Sequence, residues 1–194
     1  MKLPFLHSTL LLGALLALTP PARAAEFFLR AAAITTTMPD GAQVVQWGFA
    51  RDSAFGRGDG TVTVPGPVLT VAPGDSVLTI RLDNRLPEPI SLVINGQFST
   101  SPAPAPVRQG VRVRSFTTET PPGNAAPVTY TWSSVRPGTY LYMSGSHPQV
   151  QVPMGLYGAR TRQTPSSPAE AANSLHMQSF VLAIRRFLPD AGQR

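Results

Sequence analysis

Residues 65–97 read PGPVLTVAPGDSVLTIRLDNRLPEPISLVINGQ, and this stretch decides the fold class. From Ser76 to Leu82 the side chains alternate. Val77, Thr79 and Arg81 fall on one face, and Leu78, Ile80 and Leu82 on the other. A period of two with one aliphatic face is a strand lying against a core. Turn chemistry bounds it on both sides, with Pro73-Gly74-Asp75 before and Leu86-Pro87-Glu88-Pro89 after. Flanking runs, Val68 to Val71 and Ile90 to Ile94, are short and β-branched, so three strands are expected within 33 residues.

Outward from this block the same punctuation recurs. Further strands are expected at Glu26 to Thr37, Val44 to Ala50, Val111 to Glu119, Val128 to Ser133, Gly138 to Met143 and Val150 to Val152. Many short strands separated by Pro/Gly turns specify an all-β sandwich, whose core is expected to hold Trp47 and Trp132. Arg51 to Gly60 and the Pro-rich Ser99 to Pro106 read as surface loops. Residues 160–194 differ in kind: a polar stretch leads into Ala169 to Leu188, where Leu175, Phe180, Ala183 and Phe187 share one helical face. The tail is therefore expected to be irregular or helical.

The N-terminus carries Lys2, the apolar run Leu10 to Leu18 and a small-x-small site at Ala22-Arg23-Ala24, the layout of a secretory signal peptide over residues 1–24. The run is too short for a stable anchor, and no later segment is long and apolar enough to span a bilayer. The expected location is the periplasm or the exterior. Removal of Lys2 and Arg23 leaves fourteen Arg against ten acidic residues, net +4. These arginines scatter along the chain instead of interleaving with aromatics, so nucleic-acid binding is not expected. The chain has no cysteine. A blue-copper centre, which needs a thiolate, cannot form in it.

Together with PGTYLYMSGSHPQVQVPMGLYGA (137–159), the opening block resembles the N-terminal plastocyanin-like domain of the multicopper oxidases. The family pattern runs P-G-P, G-D, N-x-L-P-E-P, H-W-H-G, and later P-G-T-Y-x-Y, H-S-H, Q-x-x-x-G-L-Y-G-A. The resemblance covers about residues 62–159. It implies a Greek-key cupredoxin-like β-sandwich at 25–159, copper as the family cofactor, and as partners other cupredoxin domains or a second copy of the chain.

The scaffold residues are present and almost all the copper ligands are not. Aligned on Pro87-Glu88-Pro89 and Gly96, the first His pair falls on Val93 and Asn95. Counted back from Gly155-Leu156-Tyr157-Gly158, the second falls on Gly145 and His147; counted forward from Pro137-Gly138-Thr139, it falls on Met143 and Gly145. At most one of four His survives. This implies a ligand-depleted module that is not catalytically competent alone, with no catalytic residue to name. Two alternatives stand beside it. One is a periplasmic copper binder using His147 with Met143 or Met154, since imidazole and thioether suit Cu(I). The other is the N-terminal piece of a larger oxidase. The family domain continues from G-L-Y-G-A into an aliphatic closing strand, whereas here Arg160-Thr161-Arg162-Gln163 follows. That departure suggests a truncated or frame-shifted tail from residue 160, outside the family pattern, and a sandwich lacking its last strand.

Overall fold

A computed structural model describes residues 23–123 and 127–163. Its ten strands are β1 (Arg23–Thr37), β2 (Gln43–Asp52), β3 (Gly66–Val71), β4 (Asp75–Asn84), β5 (Leu92–Ile94), β6 (Val107–Gln109), β7 (Arg112–Ser115), β8 (Val128–Trp132), β9 (Gly138–Ser144) and β10 (Tyr157–Arg162). One short helix, α1 (Pro148–Gln151), lies between the last two. Two four-stranded sheets form, in the orders β2-β1-β4-β8 and β3-β10-β9-β5, and β6 and β7 make a separate hairpin. The first sheet contains a parallel β1/β4 pair and the second a parallel β3/β10 pair. The fold is a cupredoxin-like β-sandwich.

The expected alternation in β4 is realised: Leu78, Ile80 and Leu82 are fully buried and Arg81 is exposed. From the other sheet come Leu69, Val71, Leu92, Ile94 and Tyr142. Trp132 is part of this core and Trp47 packs against it. Burial of this apolar surface, at about 25 cal/mol per Å² removed from water, is the main favourable term holding the sheets together.

Three expectations are corrected. Val150 to Val152 is not a strand. Pro148 presets a helical φ, and the amides of Val150 and Gln151 donate to the His147 carbonyl at 2.8 and 2.9 Å, closing one helical turn. The strand expected at Val111 to Glu119 is shorter: Gly110, at φ +61°, turns β6 back onto β7, and β7 runs only from Arg112 to Ser115. The closing strand expected to be missing is present. The boundary placed after Ala159 falls inside β10, which runs to Arg162 between β3 and β9 and satisfies the backbone of both. The remainder of the 160–194 tail, from residue 164, and the signal sequence up to residue 22 lie outside the described residues. Among the described residues, no helix is long and apolar enough to cross a membrane.

Candidate metal centre

Antiparallel pairing of β5 with β9 sets Leu92 opposite Ser144, Val93 opposite Met143 and Ile94 opposite Tyr142. The two segments that carry the family's His positions are thereby neighbours. Val93 has no lone pair to offer. Asn95 points its amide nitrogen at the Met143 sulfur, 3.9 Å away, and an amide is a poor copper ligand. Gly145 has no side chain and no room for one. A Cβ there would meet Ser91 Oγ and Val93 Cγ1, each at 2.8 Å. Ordinary carbon contacts lie near 3.5–4.0 Å, so packing already fills the space a ligand would need. These residues do not fit a trinuclear copper cluster. Among the described residues there is also no group of three His, Cys, Asp or Glu placed to hold a metal.

The three side chains singled out from the sequence sit on different elements. Met143 is on β9 and lines a cleft beside Val93 and Asn95; that cleft includes neither His147 nor Met154. Met154 lies in the turn after α1, where its carbonyl accepts from the Trp47 amide at 2.9 Å. His147 caps α1 in the left-handed region, φ 38°. It is the one non-glycine residue with positive φ among those described, a conformation that costs energy and persists only where its surroundings hold it. Its amide donates to the Arg114 carbonyl at 2.7 Å, which ties the corner to β7.

Beneath this corner lies a polar network that sequence reasoning missed. Ser91, Ser115 and Ser146 are fully buried, with hydroxyl oxygens 2.8–3.2 Å apart. The three protons can be assigned. Ser146 donates to Glu119 Oε1 at 2.9 Å, Ser115 to the Thr117 carbonyl at 2.8 Å, and Ser91 to Ser115. Glu119 is gripped in turn by Arg114 through Nε, at 3.3 Å, and Nη2. Ser144 donates to Gln151 Oε1 at 2.6 Å, and the Gln151 amide donates to the Pro89 carbonyl at 3.1 Å. Each of the four serine hydroxyls has an acceptor for its proton, the condition under which a buried polar network stabilises a corner; the neighbouring buried Thr117 hydroxyl has none. These hydroxyls are sealed from solvent, and among the described residues none is hydrogen-bonded to an imidazole, the base that activates a serine nucleophile. The only sequence signal was the density of small hydroxyl residues around 144–146.

Above it, Val93, Asn95, Phe98, Phe116, Trp132 and Met143 line an apolar cleft of about 200 Å³. Phe98 is 83% exposed, so the end of the sandwich that carries the ligand positions presents apolar surface.

Residues 61–165, more than half of the chain, match the multicopper oxidase family model; the chain belongs to that family. A search of curated protein sequences finds no match. Among solved structures, a multi-copper oxidase from Pseudomonas thermotolerans superposes with a TM-score of 0.58 at 20% identity, over 75% of this chain and 31% of that protein. The multicopper oxidase mgLAC gives 0.57 at 20% identity over 76% and 41%. A metallo-oxidase from Campylobacter jejuni gives 0.52 at 21% identity over 74% and 26%. The chain therefore spans less than half the length of each. At these identities the likeness is one of fold.

Proposed function

We propose that this chain is an exported cupredoxin-like module that has given up copper at the family's ligand positions and serves structure or interaction. The observation that carries the reading is the close approach at Gly145, where Val93 and Ser91 stand in the space of a ligand side chain. Copper belongs to the family, and any oxidase activity resides in further cupredoxin domains or a larger assembly. The apolar cleft and Phe98 are the surface such a domain, or a second copy of the chain, would cover. The N-terminal sequence supports export through cleavage after Ala24, which removes only the first two residues of β1.

One preparation tests this. The protein is recovered from the periplasm of an expressing cell, its N-terminus is sequenced, and its copper content is measured after dialysis against Cu(I) and Cu(II). The reading requires a start at Ala25 and far less than one copper per chain. One copper per chain, lost in His147→Ala, would replace it with a copper-binding function built on His147 and Met143 or Met154.

A further inference from the structure

β6 and β7 form a hairpin that belongs to neither sheet of the sandwich. Gln109 pairs with Arg112, so Gly110 and Val111 make the apex, and Val111 is 92% exposed there. Val113, also exposed, lies opposite Arg108 across the hairpin, and opposed residues share a face. Arg108 Nη1 donates to the Val111 carbonyl at 3.4 Å, which holds its guanidinium beside the apex. Arg112, exposed, follows Val111 on the other strand. Neither arginine forms an ion pair among the described residues. Residues 107–118 include no carboxylate, and Glu119, the next in sequence, is spent on Arg114 and Ser146. The tip therefore joins exposed aliphatic side chains to two free cations.

A single exposed valine is ordinary. A convex apolar apex with a guanidinium on each strand beside it is more particular. A protein partner would need a matching pocket with an acidic rim, whereas an anionic bilayer receives such a tip without shape complementarity. Apolar side chains gain by entering the boundary between headgroups and acyl chains, and arginines gain at the lipid phosphates. We propose that the β6–β7 hairpin docks this domain on an anionic phospholipid surface, with Val111 and Val113 entering that boundary and Arg108 and Arg112 at the phosphates. None of residues 107–115 lines the cleft at the family's ligand positions, so this contact is independent of whatever covers that cleft.

The purified full chain is sedimented with vesicles of phosphatidylcholine alone and of phosphatidylcholine mixed with phosphatidylglycerol. The forms compared are wild type, Val111→Ser and the double variant Arg108→Gln/Arg112→Gln. These side chains are exposed, so all three forms should melt together, which shows that each is folded. Wild type should partition onto the anionic vesicles about thirtyfold more strongly than onto neutral ones, the equivalent of roughly 1 kcal/mol for each arginine. Added salt should weaken that preference, and the double arginine variant should lose most of it. Val111→Ser keeps the charges and should bind anionic vesicles about tenfold more weakly, the loss of one buried valine. No binding by wild type, as expected if the hairpin instead serves an acidic protein, overturns the proposal. So does equal binding by all three forms, which would place the membrane contact elsewhere in the chain. Full binding by Val111→Ser would leave a purely electrostatic attraction and overturn the insertion of the tip.

Discussion

Gly145→Ala probes the corner where the resemblance places one of the family's His residues. The added methyl would sit 2.8 Å from both Val93 Cγ1 and Ser91 Oγ, and 3.6 Å from Phe116 Cβ. Reaching an ordinary contact requires displacements of roughly 0.7 Å or more. Neither neighbour can swing away: Val93 is fixed in β5, and Ser91 is held in the hydroxyl network. Forcing a methyl group into a packed site typically costs about 1–3 kcal/mol. For a chain of this size each kcal/mol lowers the melting temperature by about 2–4 °C. Val93→Ala removes the offending methyl and leaves a small void that the methyl introduced by Gly145→Ala can occupy. The double variant should thus be more stable than the sum of the single changes by about 1–2 kcal/mol. Chemical denaturation followed by circular dichroism measures all four species. A Gly145→Ala protein as stable as wild type, or strictly additive single costs, would refute the packing argument.

Three further outcomes follow from the same geometry. Tyr142 donates its hydroxyl proton to the Pro67 carbonyl at 2.7 Å, so Tyr142→Phe should lose about 1–2 kcal/mol by leaving that acceptor unmet, read as a lower urea midpoint at unchanged slope. Ser146→Ala removes the proton given to Glu119 and should cost a similar 1–2 kcal/mol, roughly, whereas an exposed control, Ser134→Ala, should change stability by less than about 0.5 kcal/mol. Asp52 concerns pH. Burial alone would raise its carboxyl, but hydrogen bonds from Arg30, Gly60 and Gly58 and the Arg30 charge more than offset that and hold it below the usual value of 3.8. A folded value below the unfolded one gives stability that is present above about pH 4 and lost as pH falls through the lowered value. Asp52→Asn should therefore cost stability at neutral pH and show a flatter acid limb in a series of melts; parallel limbs would contradict the assignment.

Much of this architecture was legible because strands announce themselves by alternation. Leu78, Ile80 and Leu82 declared the buried face of β4, and the turns at Pro73 and Pro87 bounded it. Val93 and Gly145, where the resemblance places two of the family's His, were legible as non-ligands, since neither side chain carries a donor atom. β10 was not legible. Arg160 and Arg162 are strongly polar, and propensity gave no reason to place them between β3 and β9; backbone pairing between segments far apart in sequence overrode composition. The serine network was hidden for a related reason. Ser91, Ser115 and Ser146 meet only after β5, β7 and the β9–α1 corner assemble, and a serine in isolation signals neither burial nor a partner. His147 stands in the sequence as the one His left near the resembled family's ligand positions, a copper ligand only in the alternative reading, and its clearest structural role is a backbone one, at the left-handed start of a single helical turn.

The central claim is that packing, and not metal, occupies the family's ligand positions in this domain. Thermal unfolding of the purified chain with a strong copper chelator, with excess Cu(I) and with excess Cu(II) tests it most directly, because a metal bound only by the folded state must raise the melting temperature. The account predicts superimposable melts in all three conditions. A melting temperature that rises with copper and falls with chelator would contradict it.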